Sequence, residues 1–283
     1  MQRKHWEELF FRALMIASGV LIVSALAGIV VVVLVRGGGA LDLAMITQLP
    51  KGGYYLGKEG GILNAIVGSF YLAVGATAAA LVLSLPIVFY LQRDYGGRSR
   101  FAGWVRLALD VLWGVPSIVY GAFGFLLMLY LGLRASLLGG IVALTLVEFP
   151  IMARAMDEVV RGVPQVLRET SYSLGATRLE TSVAVVTRHV LPGLVTAMLL
   201  AFGRGIGDAA SVLFTAGYTD YLPASPMDPV ASLPLAVFFM LGTPYPEVQE
   251  RAYAAGAILL IVVTLVSIVA RLLARRFDRY VSR

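Results

Sequence analysis

The sequence predicts an all-α integral membrane protein with six transmembrane helices, and three observations carry that expectation. Hydrophobic residues make up 59% of the 283 and charged residues only 14%, against ~45–50% and ~25% in an ordinary soluble domain. Too little polar surface remains to coat a globule in water. Six apolar runs are long enough to cross a hydrocarbon core, which takes about 20 helical residues. The lysines and arginines are segregated, 17 on one side of these runs and 5 on the other, the bias that marks cytoplasmic loops.

The first run, 13–35, follows Arg3, Lys4 and Arg12. Its Ala25-Leu26-Ala27 imitates a signal-peptide cleavage site, but the apolar stretch continues to Val35, so the expectation is an uncleaved anchor. The second run is 67–91 with Pro86, the third 111–131 with Pro116, and the fourth 136–153 with Pro150. The fifth is 190–215 and the sixth 252–273. Prolines inside such runs are tolerated where neighbouring helices satisfy the freed carbonyls. The basic bias places the N-terminus (1–12), the loops 92–110 and 157–192 and the tail (276–283) in the cytoplasm around a 13–275 membrane domain, N-in and C-in. Outside lie a glycine-rich, irregular stretch at 36–61 and an acidic, proline-rich loop at 216–250. Within that loop, 232–242 is apolar but too short to span, which predicts a re-entrant or interfacial helix.

Several chemistries are excluded. The chain has no cysteine, so disulfides and thiolate chemistry are ruled out, and His5 and His189 are too far apart in sequence to suggest a histidine metal cluster. It has no G-x-x-x-x-G-K-[ST] phosphate cradle, no H-E-x-x-H and no G-x-S-x-G. The glycines at 203, 205 and 207 fall in an apolar run, where small residues serve close helix packing.

Two features carry function. Arg204 and Asp208 are spaced to share a helix face inside the fifth run. Charges at that depth cost at least ~2.5 kcal/mol each on insertion scales and face a partner or a pathway. They are read either as a mutually neutralised packing pair or as an anion contact, Asp208 restraining an arginine whose planar fork suits an oxyanion. Glu148 is expected to reach the interface or pair with Arg154 rather than touch substrate. Arg106 and Asp110 are expected to form an interfacial pair, and Trp6, Trp104, Tyr90 and Tyr95 to be interface anchors. The second feature is the 157–192 loop, far longer than a usual helix connection. Within it Pro164 opens a short helix over 165–174, Gly175 caps it, and a second helix covers 178–189.

The loop resembles a known family. Glu169-Thr170-Ser171, Gly175-Ala176 and Leu191-Pro192 are similar to the E-A-A…G…L-P loop of ABC importer permeases. Thr170 and Ser171 stand where alanines are usual, and the glycine-to-proline interval is about one helical turn longer. Gly60–Ser69 (GGILNAIVGS), Gly114–Gly121 (GVPSIVYG), Arg204–Ala209 (RGIGDA), Ser232–Leu235 and Glu250–Ala255 resemble, in order, stretches of the PstA-like phosphate-importer permeases. In the third of these, aspartate replaces the usual glutamate and a threonine is missing.

The resemblance implies a type I ABC importer permease fold and a phosphate-transport subunit, not an enzyme. It implies Glu169, Thr170, Ser171, Gly175 and Ala176 as the ATPase-coupling segment and Arg204 and Asp208 on the translocation path. No cofactor is expected in this chain, ATP and magnesium belonging to partners. Those partners would be a homologous PstC-like permease, a PstB-like ATPase dimer and an external PstS-like binding protein. The alternatives are a permease for another oxyanion (molybdate, sulfate or phosphonate), a proton-coupled transporter or channel using Arg204, Asp208 and Glu148 as a relay, and a membrane scaffold.

Overall fold

The computed structural model describes residues 2–51 and 60–281; the side chains of 2–6, 270 and 273–281, and with them that of Trp6, lie outside the description. The described residues form helices α1 (Gln2–Gly37), α2 (Leu43–Thr47), α3 (Leu63–Tyr90), α4 (Arg100–Trp113), α5 (Ser117–Tyr130), α6 (Leu137–Arg161), α7 (Gln165–Ser173), α8 (Arg178–Glu180), α9 (Thr187–Ile206), α10 (Leu233–Leu241) and α11 (Pro246–Val281). A π-helical segment, Thr181–Val186, fuses α8 to α9 into one 29-residue rod. The expected second loop helix therefore does not stop before Leu191-Pro192. It runs on into the membrane with Pro192 inside it.

Helices α3 and α6 form the central pair, and α9 packs across both. They approach closely because the facing residues are small. Ala73, Ala76 and Ala80 of α3 and Ala143 and Ala153 of α6 are completely buried. In lipid, where apolar side chains gain little by leaving the solvent, such van der Waals packing supplies most of the cohesion. By contrast α1 buries almost nothing before Gly37. It is fastened at its end to α11, where Gly37 sits against the Tyr253–Ala254 backbone and Arg36 Nη1 donates to the Tyr253 hydroxyl at 3.2 Å.

Three expected elements differ. The third apolar run is not one helix: α4 and α5 meet at 98° around Gly114–Pro116. Proline removes a donor and disfavours helix at the residue before it, so the run breaks where hydropathy saw continuity. What was expected as loop 92–110 is largely α4, an amphipathic helix that buries Ala102 and Leu109 and exposes Phe101, Trp104, Leu107 and Val111. Tyr90, Tyr95 and Trp104 are exposed, as membrane-interface anchors require. Within 36–61, expected to be irregular, a 3₁₀ turn (Gly38–Ala40), α2 and a Pro50–Gly60 bridge appear, with 52–59 outside the described residues.

The fifth run also breaks. Helix α9 ends at Ile206, level with the middle of α3 and α6, and turns follow to Ala216. Irregular backbone is viable at such depth when protein buries it, and here it is wrapped. Gly121 of α5 lies against the Ala210 and Ser211 carbonyls, where an added Cβ would be 2.7 and 2.8 Å away. The Ser136 N–H donates to the Thr215 carbonyl at 2.9 Å, and the Val230 N–H to that of Ala216 at 2.9 Å. The chain then re-enters as α10, whose Leu233, Leu235 and Met240 are buried against α3 and α11.

Candidate functional site

Arg204 lies in the last turn of α9, where a cation complements the helix dipole. Asp208 lies just beyond the helix end, so the two do not share a helical face as expected. The glycines at 205 and 207 weaken the helix, and the Asp208 carboxylate offers the backbone a competing bond, accepting from the Ser211 N–H at 2.9 Å. The pair still forms, Arg204 Nη1 donating to Asp208 Oδ1 at 2.6 Å. Both carboxylate oxygens are used, and the Asp208 side chain is 4% exposed while that of Arg204 is 45% exposed. The acid is a fixed post beneath, and the base presents its unused N–H groups at the subunit surface. A planar fork held this way can donate to two oxygens of a tetrahedral anion.

Glu148 is neither interfacial nor paired with Arg154. Helix α6 continues to Arg161, which leaves Glu148 at mid-helix, fully buried and accepting the Thr77 hydroxyl at 2.8 Å. Arg154 is engaged elsewhere, with Asp110 at 2.7 Å and Asp157 and Glu158 at 3.4 Å. Nor do Arg106 and Asp110 pair with each other. Arg106 Nε donates to buried Asp157 at 2.8 Å, and its Nη2 donates to the Leu91 carbonyl at the end of α3 at 2.8 Å. These side chains reach across elements because α4 folds back along α6. The C-terminal ends of α3 and α6 are thereby tied with α4 into one ionic cluster.

Helix α7 and its cap match the sequence expectation. Gly175 takes φ +86°, its N–H donates to the Tyr172 carbonyl at 2.9 Å, and the Ala176 N–H donates to that of Ser171 at 3.2 Å. This is the glycine-terminated motif that closes a helix with its last carbonyls satisfied. Glu169 and Thr170 are exposed, while Ser171 is buried with its hydroxyl 2.9 Å from that of Thr181. Val166 and Leu174 also face outward, Leu174 at 83% exposure, so the outer side of α7 is apolar as well as polar.

What the sequence did not reveal is how α7 is anchored. Buried Arg168 pairs with Asp94 in the turn between α3 and α4, Arg178 donates to the Asp94 carbonyl at 3.2 Å, and Arg93 to Gln165 at 3.4 Å. Burial and the neighbouring Asp94 carboxylate push the Tyr172 phenol above its ordinary range. A cavity of about 660 Å³ lies between this turn and α7. The only sequence hint was the density of charge in 93–100, which by itself reads as a topology signal.

The described site thus joins an arginine at the end of α9, level with the middle of α3 and α6, to a capped helix, α7, braced on the α3–α4 turn. A family model described as the binding-protein-dependent transport system inner membrane component matches residues 95–282, which contain Arg204, Asp208 and α7. The phosphate transport system permease protein PstA of Xylella fastidiosa (strain 9a5c) is 34% identical over 220 residues, 77% of this chain and 76% of that protein. PstA 1 of Mycobacterium tuberculosis (strain CDC 1551 / Oshkosh) is 35% identical over 216 residues, 76% of this chain and 70% of that one. Among solved structures, a chain of the inward-facing MetNI methionine ABC transporter (CY5 native crystal form) superposes with a TM-score of 0.63 at 18% identity, over 76% of this chain and 95% of its own. That is a likeness of fold. Sequence and fold agree, and the chain belongs to the family of binding-protein-dependent transport system inner membrane components.

Proposed function

We propose that this chain is the membrane-spanning permease subunit of an ATP-driven phosphate importer, supplying half of a translocation path shared with a homologous permease. The observation that carries the reading is Arg204, held by a buried Asp208 yet half-exposed where α9 ends at mid-membrane. The PstA relatives support phosphate as the cargo. Phosphate leaves an external binding protein of the PstS kind and passes between the two permeases, with Arg204 donating paired hydrogen bonds to its oxygens. Glu169, Thr170, Gly175 and Ala176 form the contact with a PstB-like ATPase dimer, Ser171 holding α7 from beneath, and both termini lie in the cytoplasm. ATP and magnesium act in that partner. Movement of α7 reaches the membrane by two routes, through Arg168–Asp94 to α3 and through the π segment to α9.

Uptake of radiolabelled phosphate by the reconstituted complex, competed with sulfate and molybdate, tests the reading. Competition by phosphate alone supports it. Strong competition by sulfate or molybdate reassigns the cargo to another oxyanion. ATP-independent uptake would overturn the coupling role of α7.

A further inference from the structure

Glu148 has no part in the path as read so far, and its surroundings are unusual. It is fully buried, Thr77 donates to Oε2, and Oε1 has no hydrogen-bond partner among the described residues. That oxygen faces α9 at Gly205, where an added Cβ would overlap the carboxylate. An unpartnered carboxylate oxygen at membrane depth is costly and marks a functional group. The helices packed on α6 are α3, α5, α9 and α4, the last meeting it from Phe149 to Asp157, where its Arg106 is bound. Helices α3 and α5 carry no charged residue along their lengths, and α9 carries Arg188, His189 and Arg204. Arg188 and His189 lie more than ~20 Å from position 204 along the helix, at about 1.5 Å per residue. Arg204 is therefore the one cation on these helices at the depth of Glu148, and it neighbours in sequence the glycine that Glu148 touches. Two acids, Asp208 and Glu148, thus lie beside the end of α9 that carries Arg204, one bound to it and the other facing the next residue.

The geometry points to Glu148 as a second seat for the Arg204 guanidinium: in the conformation described here Arg204 is held by Asp208, and in the alternate conformation of the cycle it is held by Glu148. The inference rests on the transport reading above. The exchange leaves one carboxylate oxygen unpartnered in either position, Glu148 Oε1 in the first and Asp208 Oδ1 in the second. Asp208 keeps its bond from the Ser211 N–H when Arg204 leaves, and Glu148 gains the partner that Oε1 lacks. Residues 204 and 205 are about 100° apart around the helix, so carrying the arginine across takes a substantial rotation of α9 against α6 together with the reach of its long side chain. Gly205 keeps that lane open.

Glu148→Gln tests this, because it preserves shape and the bond from Thr77 while removing the charge. The chain contains no cysteine, so Ala155→Cys with Thr196→Cys, across the cavity between α6 and α9, gives a disulfide reporter of their relative position in the full complex. Expected are a fall in phosphate uptake of about tenfold at normal membrane abundance, and crosslink yields that Glu148→Gln and Asp208→Asn shift in opposite directions. A merely structural Glu148 gives no such opposition. Uptake and crosslinking by Glu148→Gln within twofold of the parent, or shifts in the same direction, overturn the inference. If that variant accumulates poorly, Glu148→Asp serves instead: it withdraws the carboxylate by one methylene, and normal uptake at normal abundance overturns the inference, while lost uptake supports it only with a crosslink shift opposite to that of Asp208→Asn, and lost uptake without that shift overturns it. Arg204→Gln separates this from the larger reading. Inactive Arg204→Gln beside normal Glu148→Gln removes only the second seat; active Arg204→Gln removes the path assignment itself.

Discussion

Replacing Gly175 by asparagine, alanine and valine isolates the conformational requirement of α7, the helix proposed above to meet the ATPase. A Cβ at this position meets no atom within 4 Å, so a side chain brings no clash with the rest of the fold. The whole cost is that of holding φ at +86°. For alanine that is ~1–2 kcal/mol, and asparagine escapes part of it through local hydrogen bonding. A β-branched residue sits toward the top of the ~1–3 kcal/mol range for backbone strain. One to two kcal/mol is a factor of roughly 5–30 in a two-state equilibrium. The equilibrium at stake is local: α7 capped, with the Gly175 N–H to Tyr172 and Ala176 N–H to Ser171 bonds made, against α7 frayed. Retention of ATPase subunits on the tagged permease in detergent, with ATP-driven phosphate uptake in proteoliposomes, should rank glycine, asparagine, alanine, valine. Valine should lose about tenfold or more in ATPase association at unchanged membrane abundance. Equal behaviour of valine and asparagine would refute the argument, because volume has nothing to meet there and only φ distinguishes them.

Arg204→Lys should cut phosphate uptake sharply by losing the planar fork, and Asp208→Glu should be tolerated. Near-normal uptake by Arg204→Gln/Asp208→Asn would instead mark the pair as structural, since replacing both charges by neutral partners is cheap when only packing is at stake. Asp94→Ala leaves Arg168, 6% exposed, without its countercharge, a loss of about 3 kcal/mol for a buried pair broken on one side. Protease cleavage within 162–178 should speed up, and Asp94→Ala/Arg168→Leu should restore part of the protection. Gly121→Val drives a side chain into the Ala210 and Ser211 carbonyls, an overpacking cost of about 1–3 kcal/mol that should lower thermal stability in detergent. Gly103→Val, where a Cβ meets nothing within 4 Å, should leave stability within about 0.5 kcal/mol.

What could be read from the sequence was whatever a local rule decides. A Pro164 opening, a 165–174 helix and a left-handed Gly175 all depend on backbone preferences spanning a few residues, and the structure reproduces them. The apolar runs mark which segments meet the membrane but not where they bend. A hydropathy window passes over Gly114–Pro116 and over Gly207-Asp208 because neither lowers the average enough, although each redirects the chain. The ionic partners lay beyond reach for a different reason. Arg106 meets Asp157 from 51 residues away and Arg168 meets Asp94 from 74, so nearest-neighbour spacing assigned Arg106 to Asp110. Glu148 was placed near a helix end because the apolar run stops at Ala153. The helix itself continues on Met156, Val160 and charged residues that the ionic cluster satisfies.

The attachment of α1 bears on how the chain is made. The hydrogen bond between Arg36 and Tyr253 joins residues 217 apart, the opening helix to the closing one. Synthesis at ~5–20 residues per second separates their emergence by roughly 10–40 s. For that interval α1 has reached the bilayer while the surface that receives it does not yet exist. Its outward faces must therefore be content with lipid, which explains why Ile16, Val20, Leu21, Ile22 and Val23 can all be apolar around the full turn. Helix α11 arrives after α1 and clasps it, so with a ribosome stalled before residue 246 the end of α1 at Gly37 should be open to a lipid-soluble probe, and after release of α11 it should be covered.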